Sequence, residues 1–357
     1  MSVQVDNEAN RPSLLVVGCG GIGGVLAATL AEQGHRLTVV TRRPAITEAI
    51  RLRGFELRDE LGPRQIRGEV ELVESLPERG SFDFVLLAVP PTALAEVGAA
   101  ASGLLAEGGA LVCFQNGLSE ERLAPIVGAE RVIGAVVAWG ASSPEPGVYE
   151  RTSAGGFTLG RVDGVACESL RRLARLLEAV GPTEISQNLT GARWSKLALN
   201  CAVSSLGTIG GDTLGALLRH RFVRRLALEV MTEAVEVANA EGVKLEKVGG
   251  TLDLQWIALT DAERHGTNSP TTLAKHALLL AVGARYRRLR SSMLAAIERG
   301  REPGVDFLNG EVVARARRRG MRAPVNEKVL ATVHAIAKRQ ERSDLATLRR
   351  LYDETRG

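Results

Sequence analysis

The segment Gly18, Cys19, Gly20, Gly21, Ile22, Gly23 constrains this chain more than any other feature, because of what flanks it. It follows the apolar run SLLVV directly, opens into VLAATLAEQG ending at Gly34, and is followed by a second apolar run, RLTVVTRR. Strand, glycine turn, apolar helix and strand make one βαβ unit. In a G-x-G-x-x-G so placed, Gly18 makes the tight turn, Gly20 lets backbone approach a pyrophosphate, and Gly23 lets the helix pack closely. Backbone N–H groups along the loop, with Cys19, Gly21 and Ile22 between the three glycines, then receive phosphate charge at the helix N-terminus. A tight turn with no ligand is the bland alternative for such a motif.

The alternation continues. FDFVLLAVP reads as a buried strand, PTALAEVGAAASGLL as a helix, and GALVCFQNG and RVIGAVVAWG as further strands. This predicts an α/β N-terminal Rossmann domain, a mostly parallel sheet between helices. SSPEPGVYERTSAGGFTLGR offers short β runs expected to form a hairpin closing that domain. Helical periodicity resumes at CESLRRLARLLEAVG, and from Ala192 the chain reads as long amphipathic helices. The expected organisation is a disordered tail over 1–12, a dinucleotide-binding domain over 13–187, and an all-helical substrate and dimerisation domain over 188–357.

The second strand ends Val40, Thr41, Arg42, Arg43, without the Asp or Glu that would hold ribose hydroxyls. A hydroxyl followed by two guanidinium groups suits a 2′-phosphate, so NADPH is expected rather than NADH. Ala88 and Val89, which close the strand FDFVLLAVP, join the cofactor set. So does Asn116, at the carboxyl end of a strand, where open α/β sheets bind ligands.

Composition removes other classes. The chain carries a formal charge of +4, with arginines massed at Arg285, Arg287, Arg288 and Arg290 and at Arg315, Arg317, Arg318 and Arg319. Aromatic residues for base stacking are few and no nucleic-acid module is present, so these read as solvated helix faces. No run approaches the roughly 18 apolar residues that cross a bilayer. The residues MSVQVDNEANRPS lack the features of a secretory signal, and a cytoplasmic protein is expected. Cys19, Cys113, Cys167 and Cys201 are scattered, predicting neither disulfide nor metal, with Cys19 and Cys113 as small buried thiols. Apolar positions recurring over 230–243 and 274–284 predict an interface between two copies or a covered cleft, and a homodimer is expected.

FQNG (114–117), RWSKLALNC (193–201), SSMLAAIERGREPGVDFLNG (291–310) and the closing RGMRAPVNEKV resemble ketopantoate reductases (2-dehydropantoate 2-reductases), in order and over nearly the whole chain. W-x-K-L-x-x-N followed by S-S-M and D-x-x-N-G is far more specific than the glycine fingerprint. The resemblance implies NADPH-dependent reduction of a 2-oxo acid, with pantothenate biosynthesis as a setting. It makes Lys196 the catalytic proton donor, sets Asn116 near the nicotinamide and the reacting centre, and puts Asn200 and Ser292 on the substrate. Helical spacing independently places Lys196 and Asn200 on one face, and partial desolvation of a lysine eases proton release near neutral pH. A helix cap competes for Ser292, and Asp306 and Asn309 read as fixing a loop and helix start.

The chain also departs from the pattern. Ser204, retained here as a substrate contact, and Leu214 stand where the family has asparagines that bind the hydroxyl end of ketopantoate. Ala296 replaces an aspartate, and Gly304 replaces the glutamate that partners the lysine, leaving Glu298 or Glu302 as stand-ins. The longer stretch between Lys244 and Arg290 brings His265, Lys275 and His276, read as surface residues. The expected substrate is a 2-oxo acid or a related carbonyl or imine compound, with ketopantoate itself disfavoured. An opine or imine reductase on the same fold, and a noncatalytic NADPH-binding sensor, are the alternatives.

Overall fold

The computed structural model describes residues 11–249, 252–266 and 269–355. The tail expected over 1–12 therefore lies outside the described residues except for Arg11 and Pro12. The chain divides into two compact units, one ending at Leu189 and the other beginning at Thr190.

The first unit opens with β1 (Leu14–Val17), α1 (Gly21–Glu32) and β2 (Leu37–Val40), and continues through α2 (Pro44–Arg53), β3 (Phe55–Asp59), β4 (Gly62–Ile66) and β5 (Val70–Val73). Then come β6 (Phe82–Leu87), α3 (Leu94–Ser102), β7 (Leu105–Cys113), α4 (Ser119–Val127) and β8 (Val132–Val137). The elements β9 (Ala141–Ser142), β10 (Val148–Arg151), β11 (Phe157–Gly160), α5 (Glu168–Leu177) and β12 (Thr183–Ile185) complete it. The main sheet has eight strands in the order β12-β11-β8-β7-β6-β1-β2-β5. Its pairings are parallel except β8 with β11. Strand side chains alternate between faces, which splits the core in two. Leu14 and Val16 join α1 and α5 residues in one cluster, while Leu15 and Val17 join α3 and α4 residues in the other.

The expected hairpin is not formed. β10 belongs to a second, four-stranded sheet in the order β4-β3-β10-β9, whereas β11 lies in the main sheet beside β8. β10 pairs in parallel with β3, from far earlier in the chain, so nearby turn residues do not dictate its partner. Arg58 reaches Glu150 at 3.2 Å across that pairing, and Tyr149 is wholly buried against α1, where a side chain on Gly24 would overlap its ring. The segment between β10 and β11 passes through Gly155 at φ 150°, where a side chain would collide with the Ala138 carbonyl.

The second unit is helical. α6 (Leu189–Gly210), α7 (Leu214–Leu218), α8 (Arg221–Ala240), α9 (Leu254–Ile257), α10 (Asp261–His265), α11 (Pro270–Arg285), α12 (Ser292–Glu298), α13 (Asn309–Arg318), α14 (Pro324–Ala337) and α15 (Leu345–Glu354) follow in order. Among the described residues no helix is long and apolar enough to cross a membrane. A buried polar network ties α6, α8, α13 and α14 together. Ser205 Oγ donates to Asn309 Oδ1 (2.5 Å), Asn309 Nδ2 donates to Asn326 Oδ1 (2.9 Å), and Asn326 Nδ2 donates to Glu233 Oε2 (2.7 Å). Glu233 also accepts the N–H groups of Val325 and Asn326 at 2.8 Å each, satisfying two orphan donors at the start of α14.

Two residues expected at the surface lie inside the second unit. Lys275 and His276 are buried, whereas His265 is exposed. Lys275 Nζ lies 2.6 Å from Glu263 Oε2 and donates to the Ala258 carbonyl at 2.8 Å, a pairing that a charged residue needs to be buried at all.

Candidate functional site

The register of the main sheet sets the geometry of the first unit. Val17 pairs with Val40 on one side and with Leu87 on the other, and Leu87 pairs with Cys113. The carboxyl ends of β2, β1, β6 and β7 are therefore level, and the segments after them leave from one edge. Those segments are Thr41–Arg43, Gly18–Gly20, Ala88–Val89 and Gln115–Asn116. β1 is also where the strand order reverses direction, the position at which open α/β sheets form a ligand crevice.

Each glycine of the first turn meets a different constraint. Gly18 has φ 98°, donates its N–H to the Val40 carbonyl at 3.0 Å, and would bring a Cβ within 2.7 Å of the Ala88 carbonyl oxygen. A Cβ on Gly21 would stand 2.8 Å from the Ala141 carbonyl oxygen, and one on Gly23 would collide with the carbonyl of Gly18. Gly20 differs: a Cβ there meets nothing within 4 Å. It precedes α1 without a side-chain cap, so the first-turn N–H groups receive no side chain from that residue. Ile22 is half-buried and packs against the core.

Cys19 Sγ lies 2.9 Å from the Tyr149 hydroxyl. Burial pushes its thiol up to about 11, against smaller lowering effects of the Tyr149 hydrogen bond and the Arg43 charge, so it is not a nucleophile. Thr41 is buried with its hydroxyl 3.5 Å from the Arg43 N–H. Arg42 and Arg43 are exposed, and no carboxylate pairs with either among the described residues. Ala88 and Val89 are half-buried, and the Ala88 N–H donates to the Val17 carbonyl at 2.9 Å. Asn116 is exposed, between buried Gln115 and Gly117 at φ 91°. Gln115 is a residue that sequence reasoning passed over: its Nε2 donates to the carbonyls of Leu87 (2.8 Å) and Val89 (3.0 Å), fixing the loop that carries Asn116 to the end of β6.

In the second unit, Lys196, Asn200 and Ser204 recur every fourth residue of α6 and form one half-buried ridge. The opposite face is anchored: Ser205 enters the buried network, and Trp194 is fully buried with the Arg315 guanidinium 5.4 Å from its ring. Ser292 is the first residue of α12 and is exposed. The capping role weighed for it belongs to Ser291, whose Oγ accepts the Leu294 N–H (3.4 Å) and donates to the Ser204 carbonyl (2.8 Å). Adjacent serines before one helix gave no signal to separate them. Leu214 is buried among apolar side chains, and a Cβ on Gly304 meets nothing within 4 Å. Glu298 is exposed with Arg290 at 3.9 Å, and Glu302 is exposed.

Residues 14–164 match the family profile described as ketopantoate reductase PanE/ApbA, and residues 188–337 match the profile of that family's C-terminal part. The chain belongs to the ketopantoate reductase family. Within it, the 2-dehydropantoate 2-reductase of Pyrococcus horikoshii is 25% identical over 324 residues, spanning 90% of this chain and 96% of that one. The 2-dehydropantoate 2-reductase of Mesorhizobium japonicum is 26% identical over 346 residues, spanning 91% and 97%. A PanE/ApbA family ketopantoate reductase structure from Ralstonia eutropha matches with TM-score 0.74 at 27% identity, covering 92% of this chain and 100% of that one. The fold is shared more widely: a D-mandelate dehydrogenase with NADH and anilino(oxo)acetate has TM-score 0.75 at 16% identity, covering 91% and 99%. Of the two positions expected to depart from the ketopantoate reductase pattern, Ser204 presents a half-buried hydroxyl on α6 and Leu214 a buried apolar side chain on α7.

Proposed function

We propose that this member of the family is an NADPH-dependent reductase that converts a 2-oxo acid to the 2-hydroxy acid. The observation that carries the reading is the level edge of β2, β1, β6 and β7, with an open cradle at Gly20 and two exposed arginines beside it that have no carboxylate partner among the described residues. The donor set fits the cofactor. N–H groups of the first turn of α1 would hold the pyrophosphate, and Arg42 and Arg43 would hold the 2′-phosphate, with Thr41, Ala88, Val89 and Asn116 beside them. NADPH bound there supplies a hydride.

The remaining work falls to side chains. Lys196 donates the proton that the carbonyl oxygen takes up as it becomes a hydroxyl, so each turnover consumes one 2-oxo acid, one NADPH and one proton. Asn200, Ser204 and Ser292 bind the substrate, and Asn116 orients the reacting groups. The lysine's contribution appears only as charge develops on oxygen, so Lys196→Ala is expected to lower kcat by roughly 10²- to 10⁴-fold while moving the NADPH Kd by no more than about threefold. Lys196→Arg should restore little, because a guanidinium does not release its proton near neutral pH. Turnover by Lys196→Ala at the parent rate would contradict the assignment.

The proposal includes a homodimer. The apolar positions of α8 are consumed inside their own unit, whereas Leu273, Ala277, Leu280 and Ala284 leave an exposed apolar stripe along α11. Sedimentation at micromolar concentration is expected to show a dimer, and a lone monomer would remove this part of the reading.

A further inference from the structure

We infer that Gln115 is a positioning residue: its buried amide clips the segment after β7 to the segment after β6 and so holds Asn116 against the nicotinamide end of the cofactor. The inference rests on the reductase reading above. Gln115 is buried, its neighbour Asn116 is exposed, and Gly117 turns the chain at φ 91°. The backbone attachment of β7 to β6 ends with the Phe114 N–H on the Leu87 carbonyl at 3.4 Å. Beyond that bond the Gln115 side chain continues the attachment, donating from Nε2 to the carbonyls of Leu87 (2.8 Å) and Val89 (3.0 Å). Two carbonyl oxygens facing one side-chain end call for an NH2 group, so the amide has one orientation. Both its hydrogens are then taken, and none is left for a substrate oxygen. Gln115 therefore acts through Asn116.

The clipped segment has few donors of its own. Pro90 and Pro91 follow Val89, and neither has an N–H. On its other side the same segment lies against the glycine turn. The Ala88 N–H donates to the Val17 carbonyl at 2.9 Å, and a Cβ on Gly18 would stand 2.7 Å from the Ala88 carbonyl oxygen. A Cβ on Gly23 would stand 2.9 Å from Ala88 Cβ. Ala88 and Val89 are thus the middle of a strap that runs from the glycine turn to Asn116, and Gln115 fastens its far end. In the reductase reading the glycine turn holds the pyrophosphate and Asn116 orients the reacting groups, so the clip sets the distance between the two ends of the cofactor. Phosphate contacts carry the binding, whereas a displaced reacting group loses rate.

A double-variant cycle tests this. Gln115→Met keeps the length of the side chain and donates nothing, so it opens the clip without emptying the space. For the 2-oxo acid that the parent reduces fastest, kcat per folded protein should fall about tenfold to a hundredfold while the NADPH Kd stays within about threefold. Added to Asn116→Ala, which removes the group being positioned, Gln115→Met should lower kcat by no more than about twofold further. Independent losses that multiply, a parent kcat in Gln115→Met, or a Kd that rises in step with the lost kcat each overturn the inference and leave the reductase reading intact. Should Gln115→Met misfold, Gln115→Asn keeps the amide but is one methylene too short to reach both carbonyls, and the same cycle applies. No turnover of any 2-oxo acid by the parent overturns the reductase reading. The emission of protein-bound NADPH, which reports how firmly the nicotinamide is held, then decides the clip alone. Dimmer emission in Gln115→Met, with no further loss on adding it to Asn116→Ala, supports the clip, and parent emission in Gln115→Met overturns it.

Discussion

Arg42 and Arg43 carry the cofactor preference in this account, because both are exposed, lack a carboxylate partner among the described residues, and follow the end of β2 where an acid would favour NADH. Charge-assisted hydrogen bonds contribute roughly 1.5–3 kcal/mol each, enough for NADPH to bind about tenfold or more tightly than NADH. Arg42→Ala combined with Arg43→Ala should erase that preference and keep binding, as calorimetry with both cofactors would show; equal affinities in the parent would remove the assignment. The position of these arginines just after β2 was legible because it is local to the end of one apolar run. Lys275 and His276 were not. A lysine and a histidine in an amphipathic helix read as solvated, and what buries Lys275 is Glu263, supplied by a different helix. Gln115 stood inside a motif already singled out, but its bonds run to the end of another strand and leave no mark in local sequence.

The β1–α1–β2 element was readable because its strands are continuous apolar runs and its turn has a glycine signature. β3 and β4 are short, partly exposed and charged, so periodicity did not reveal them, and β10, read as a short β run, pairs with β3 from the far end of the domain, a partner that local sequence does not mark. The glycine turn also supplies a test that separates fold from ligand. Gly20 has φ −85° and space around it, so Gly20→Ala should leave the unfolding midpoint nearly unchanged and weaken NADPH by about tenfold or more, because the methyl occupies the proposed phosphate cradle. Gly23→Ala forces a methyl against the Gly18 carbonyl and should cost about 1–3 kcal/mol of stability. Thermal melts and cofactor titrations on both variants read the difference. If Gly20→Ala bound NADPH as tightly as the parent, the cradle would lie elsewhere.

At the scale of the molecule, acid stability should fall in two stages. Burial, reinforced by the charges of Arg224, Arg221 and Arg225, holds His276 down to about 4 from an ordinary 6.5. Between those values the unfolded chain binds the proton and the folded one does not, so stability is full above about pH 6.5 and declines as pH falls toward 4, by up to about 3 kcal/mol. Glu263 is held down to about 2: burial opposes the shift, but hydrogen bonds from Lys275, Thr271 and the Thr260 N–H outweigh it. Its contribution is present above the ordinary 4.5 and is lost as pH drops through about 2. Urea midpoints from pH 8 to pH 3 should show the first stage, and His276→Leu should flatten it; an unchanged profile in that variant would assign the decline to other groups.

The measurement that bears most directly on the central claim is the stoichiometry of NADPH oxidation by the intact protein supplied in turn with each of a panel of 2-oxo acids. Absorbance would follow the cofactor and chromatography the product. The account predicts one 2-hydroxy acid formed for each NADPH consumed, with NADH a poor substitute. Tight NADPH binding with no NADPH consumed, for any 2-oxo acid of the panel, would contradict it.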